Sequence, residues 1–533
     1  MPAMSSQGEN ALAPDPVNNW LHAPTAALLA LSSLVATAAV LLAILRDATD
    51  AALNWLRRRF GGVGPASVAP GDLIGLAALV ALPFCSSSLA QFAGLYNVAT
   101  IPSSGQTVAA RPNVELAVRT FLKCHAQSTS AQVPAIIIAA EGGASRSAAW
   151  TLSALRMLDA RTGGAVGAHL FAIIGVSGGS LGAVSYLMAQ AATFPEASQT
   201  APSVADQTAF WAKSGAGNGV VELARADLLS SSVARMFTDD VLLGLPLRSG
   251  ALQGAFEHHW AWDKSFNMPA LATSGLLALR QGRDCLPHVI LNGTDVVTGN
   301  RLLTSTIGFG RPAASPGDGS RINQPFSASI DVLYSVNADI PAAAAVLNSA
   351  RFPLISPPGT LRADPNSEAG DADRQVIDGG VFENFGARVA WELADAIAAA
   401  DARVAPIVLL ISNEVDLPAT SPPGHHVQDP EGRCTSITTE ALNRRSLDKA
   451  LEARTRSGVA VPELLTSVLG LYHTRSGHAR GEIAVLRQKQ CREPLPDLYQ
   501  FDLPKPGNCP GSWRAPVWRF AIWMGRRGGL RSR

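Results

Sequence analysis

Three observations predict an α/β fold of three layers, a central and mostly parallel sheet between helices, preceded by one or two N-terminal transmembrane helices. Short apolar runs of strand length alternate along the chain with segments of helical periodicity. Two of those runs lead straight into glycine turns that open helices. Ahead of them all lie two long stretches without a charged side chain.

The N-terminal region, 1–105, comes first. Residues 24–45 contain only apolar residues, Ser and Thr and end at Arg46, a length sufficient for a hydrocarbon core of ~30 Å. A cleaved signal peptide is the alternative, but no Lys or Arg precedes the run. A second stretch, 73–96, is interrupted by Pro83 and Ser86-Ser87-Ser88, and either spans or lies at the interface. Arg46, Arg57, Arg58 and Arg59 sit between the two and belong on the cytoplasmic side. Two spans would therefore put the domain that follows outside, in the periplasm if this is a bacterial inner-membrane protein, and one span would leave it in the cytoplasm. The Arg-rich, Lys-poor, Ala-rich composition fits a bacterial source.

The main domain is expected over 106–500. A connector runs into a helix at 114–122, and Pro134-Ala135-Ile136-Ile137-Ile138-Ala139-Ala140 reads as a buried strand. It enters Glu141-Gly142-Gly143-Ala144-Ser145-Arg146, after which Leu152, Leu155 and Leu158 recur at helical spacing. The free N–H groups and positive dipole end of that helix favour an anion. Arg146 opposes the dipole there, which implies a task other than helix stability. A dinucleotide phosphate loop is the competing reading, but the chain has neither GxGxxG at this turn nor GxxxxGK.

The next strand, Leu170-Phe171-Ala172-Ile173-Ile174, runs into Gly175-Val176-Ser177-Gly178-Gly179 and a further helical segment. Strand, sharp turn and helix around a serine form the pattern of a nucleophile elbow. A side chain at Gly175 or Gly179 would clash where strand and helix pass, and Ser177 would need a strained backbone to expose its hydroxyl. Residues 194–284 read as a mostly helical insertion, either a lid or a structural layer. A strand at 287–291, the turn-rich loops 311–324 and 419–433, a helix at 387–400 and a strand at 405–412 complete the domain. Before that last helix, Val376-Ile377-Asp378-Gly379-Gly380 sets an aspartate between apolar residues and a glycine turn. The tail, 501–533, mixes Trp513, Trp518, Phe520 and Trp523 with arginines, as a headgroup-touching segment or a docked terminus would.

The glycine turn with Arg146, the serine elbow and the late Asp-Gly-Gly, in that order, resemble the patatin-like phospholipases and their cytosolic phospholipase A relatives. Asn292-Gly293-Thr294-Asp295 and Asn348-Ser349-Ala350-Arg351-Phe352-Pro353 extend the likeness, which covers about 131–414. The resemblance implies a Ser-Asp dyad with Ser177 as nucleophile and Asp378 as general base. It implies an oxyanion hole from the amides of Gly142, Gly143 and Ala144, and a charged role for Arg146 near the hole or on a substrate phosphate. The family's turn usually carries a third glycine where this chain has Ala144, and a methyl group there calls for ordinary backbone angles.

A dyad also makes physical sense without the family, since burial can raise a carboxylate's pKa enough to take a serine proton. His425, His426, His473 and His478 follow Asp378 and leave a Ser-Asp-His triad open. His258 and His259 diverge on a helix, and His169 reads as a capping or core residue, so no metal site is expected. The six cysteines show no CxxC; Cys491 and Cys509 either pair or remain thiols. A formal net charge of +1 argues against a nucleic-acid partner. The expectation is a membrane-anchored serine acyl hydrolase acting on lipid esters without metal or cofactor; a non-catalytic scaffold is the alternative from another class.

Overall fold

The computed structural model describes residues 94–101, 108–126, 132–194, 200–213, 226–236, 248–262, 268–309, 329–352, 355–364, 373–412 and 520–524, with scattered single positions elsewhere. Among the described residues nine strands form one sheet: β1 (Val133–Ala140), β2 (Leu170–Val176), β3 (His288–Asp295), β4 (Arg301–Ser305), β5 (Ser329–Asp331), β6 (Gly359–Leu361), β7 (Arg374–Asp378), β8 (Val404–Ile411) and β9 (Phe520–Met524). The order is β5-β4-β3-β2-β1-β8-β9, with β7 paired to both β3 and β6. Its centre, β8-β1-β2-β3, is parallel throughout, and these are the four apolar runs legible in the sequence. Antiparallel pairs occupy the margins, because β3 turns directly back into β4 and β7 and β9 enter from the opposite direction.

Helices cover both faces: α1 (Val114–Cys124), α2 (Ala144–Thr162), α3 (Gly178–Thr193), α4 (Val204–Lys213), α5 (Ser230–Arg235), α6 (Arg248–Trp262), α7 (Ala342–Ser349) and α8 (Ala387–Ala400). One core lies under α2, α3, α6 and α7, with Leu152, Leu155, Tyr186, Leu187, Trp260 and Val346 among its fully buried side chains. The other lies under α1 and α8, around Ile137, Phe171, Ile290, Val389 and Leu393. This is the three-layer arrangement, and α8 has the predicted bounds. The insertion between α3 and β3 is helical among its described residues.

Two features bear on the chain's ends. Tyr96 is buried, and the turn leaving it is laced to β6: Thr360 N–H donates to Tyr96 O at 2.7 Å, and Val98 N–H donates to Thr360 O at 2.9 Å. At the other end β9, from the tail, pairs antiparallel with β8. The stretches 24–45 and 73–96 lie outside the described residues, apart from Ser32, Ala43 and 94–96. Among the described residues no helix is long and apolar enough to cross a membrane. Cys491 and Cys509, the loops 311–324 and 419–433, and His425, His426, His473 and His478 also lie outside the described residues. A disulfide absent from the sequence expectation joins Cys124 of α1 to Cys285, ahead of β3, across a separation of 161 residues.

Candidate active site

The site is built on the C-terminal end of β3. Strand β2 pairs with β3 as far as Val176 opposite Asn292, then bends away at Ser177. The edge it vacates is taken at the next residue by β7, whose Asp378 stands opposite Gly293. Two residues distant in sequence thus become neighbours along one strand. Ser177 Oγ donates to Asp378 Oδ2 at 2.8 Å, with the residues only 8% and 4% exposed.

The elbow has the predicted strain and the predicted close approaches. Ser177 has φ +51° and ψ −120°, a sparsely populated conformation that costs a residue with a side chain about 1–3 kcal/mol. A Cβ at Gly175 would lie 2.4 Å from Ser180 Cα, and one at Gly179 2.3 Å from the Ala140 carbonyl oxygen. Both glycines are therefore steric necessities of strand–helix contact.

Asp378 accepts from Gly380 N–H at 2.7 Å through Oδ1 and from Ser177 through Oδ2. Burial pushes its carboxyl up to about 6, against the lowering effect of those two hydrogen bonds. Thr294 Oγ1 donates to the Asp378 carbonyl at 2.8 Å and accepts from Phe382 N–H at 3.1 Å, fixing the turn after the carboxylate. Neither Ser177 nor Asp378 has a hydrogen bond to a histidine among the described residues. His169 is a half-buried C-cap stacked on His125.

The glycine turn lies against the serine, since a Cβ at Gly142 would stand 3.2 Å from Ser177 Cβ. Two details correct the expectation for it. Gly142 N–H is not aimed at the site as a donor: it donates to the Asn384 carbonyl at 3.0 Å. Its lack of a side chain is what matters, because a Cβ would fall 2.3 Å from Asn384 Oδ1. Ala144 does not keep ordinary backbone angles but sits at φ +56°, following Gly143 at φ +153°. That sharp reversal lets α2 begin at once and leaves the Gly143 and Ala144 amides with no hydrogen-bond acceptor among the described residues. Arg146 is exposed on the first turn of α2, beside the turn and outside the buried dyad.

Asn384 was not singled out by any sequence pattern, yet it couples the two halves of the site. Its carbonyl holds Gly142, its Nδ2 donates to the buried Glu141 Oε1 at 3.1 Å, and Ser412 Oγ donates to the other Glu141 oxygen. Such a strained serine, buried carboxylate and pair of free amides can support nucleophilic acyl transfer. Among the described residues no three His, Cys, Asp or Glu side chains gather as metal ligands.

The family model for patatin-like phospholipases matches residues 138–391, a span that contains the glycine turn, Ser177 and Asp378. No curated protein matches the sequence.

Proposed function

We propose, on the premise that this chain carries a domain of the patatin-like phospholipase family and is a lipid acyl hydrolase of the carboxylic ester class, that it cleaves phospholipid or related lipid ester bonds through a Ser177–Asp378 dyad. The 2.8 Å hydrogen bond between the two buried side chains carries this reading. Ser177 Oγ attacks the ester carbonyl carbon while its proton passes to Asp378 Oδ2. The oxygen of the tetrahedral intermediate takes the Gly143 and Ala144 amides, and donors of this kind are commonly worth ~3 kcal/mol each. As the carbon–oxygen bond breaks, Asp378 returns the proton to the leaving alcohol, leaving an acyl-serine. Water then attacks, gives its proton to Asp378 and releases the fatty acid, with the proton restored to Ser177. Arg146, exposed on the first turn of α2, is the side chain we assign to a substrate phosphate.

An activated fluorophosphonate together with ester turnover tests the dyad. S177A is expected to lose both labelling and hydrolysis, and D378N to lose hydrolysis by about 10³-fold or more. Full activity in D378N would sink the dyad.

The domain is also proposed to be membrane-anchored and to face an oxidising compartment, the periplasm in a bacterium. The Cys124–Cys285 disulfide supports this, because such bonds persist outside reducing cytosol. Arg46 and Arg57 to Arg59 between the two apolar stretches support the same sidedness, with 24–45 and 73–93 crossing; the second stretch ends short of the expected 96, because residues 94–96 form the turn that packs Tyr96 against β6.

A further inference from the structure

Ser349 ends α7 at 1% exposure. Its Oγ accepts Ser177 N–H at 3.0 Å and Ser180 Oγ–H at 2.7 Å, and donates to the Asn292 carbonyl at 2.6 Å. The directions are forced. A backbone N–H can only donate and a carbonyl can only accept, so the single proton of Ser349 points at Asn292 and both of its lone pairs are used. Two residues on, the Arg351 carbonyl accepts Asp378 N–H at 3.1 Å. The short run 349–351 therefore holds the backbone amides of both members of the dyad.

We infer that Ser349 is a positioning residue for the nucleophile, a hydroxyl latch that holds the strained Ser177 peptide in register with Asp378. The inference rests on the dyad reading given above. Ser177 sits at φ +51°, and only an external hold on its peptide keeps such a conformation populated. With its N–H bound to Ser349, Ser177 cannot lend that amide to the oxyanion. Removing the hydroxyl leaves the Ser177 N–H, the Asn292 carbonyl and the Ser180 hydroxyl without this partner in a buried cluster. Relaxation of the peptide then swings Oγ away from the carboxylate.

The test compares S349A with S180A, S177A and D378N in the full chain, measuring kcat and KM on a short-chain p-nitrophenyl ester and thermal unfolding. S180A removes a hydroxyl from the same buried cluster but keeps the bonds from Ser349 to Ser177 and Asn292. The expected result is a kcat loss of about 10- to 100-fold in S349A with KM within about twofold, and less than about threefold loss in S180A. Wild-type kcat in S349A, or an equal loss in S180A, overturns the latch. If S349A does not fold, S349C, which keeps the volume but hydrogen-bonds weakly, is read by the same criteria. Activity surviving in S177A or D378N would instead strike the dyad itself, so the two failures fall on different variants.

Discussion

Asp378 is buried with one hydrogen bond to each carboxylate oxygen, from Gly380 N–H and from Ser177, and burial holds its pKa near 6. A base must be ionised to accept a proton, so kcat/KM should rise with pH through an apparent pKa near 6 and level off above it. The consequence for stability has the opposite sign. Between about pH 4 and pH 6 the native state binds this proton more tightly than the unfolded chain does, so stability falls as pH rises through that window. D378N should therefore be inactive yet more stable than the wild type at pH 7, by about 1–3 kcal/mol, with the advantage gone by pH 4. Equal melting temperatures at pH 7 would contradict that account of the buried carboxylate. Ser177, Asp378, Gly175 and Gly179 were readable because each is demanded by a local pattern of strand, turn and helix. Asn384 and Ser349 were not, because their partners are supplied by chain up to 243 and 172 residues away. The Gly142 amide escaped for the same reason, its acceptor being Asn384.

Among the elements, the four central strands were visible as unbroken apolar runs because parallel strands covered on both faces need little else. The marginal strands were hidden by their length and their charges. β4 opens with Arg301 and β7 with Arg374, both buried and both paired, to Glu392 and Asp295 respectively. Glu392 of α8 also pairs with Arg388 at 3.0 Å. Burial would raise the Glu392 pKa, but the two guanidinium groups outweigh it and hold the carboxyl below its usual range. The Arg301 guanidinium stands 5.9 Å from the centre of the Phe382 ring, on the turn that follows Asp378. Replacing Glu392 by alanine removes the carboxylate shared by two buried guanidinium groups and should cost about 3–5 kcal/mol in denaturant unfolding. A loss under about 1 kcal/mol would mean that water reaches this cluster.

Across the molecule, the disulfide between Cys124 and Cys285 ties α1 to the approach of β3, a pairing that spacing alone cannot reveal at a separation of 161 residues. The topology proposed with it is open to direct test. A periplasm-dependent reporter fused after Leu45 should be silent and one fused after Tyr96 active, and alkylation without reductant should spare Cys124 and Cys285. A silent reporter after Tyr96, or ready alkylation of both thiols, would return the domain to the cytoplasm. The lacing of Tyr96 and Val98 to Thr360 then acquires a mechanical meaning. Chain entering at Tyr96 is clamped to β6 by two backbone bonds, and β6 is paired in turn with β7, so its point of entry is fixed relative to the strand that carries Asp378.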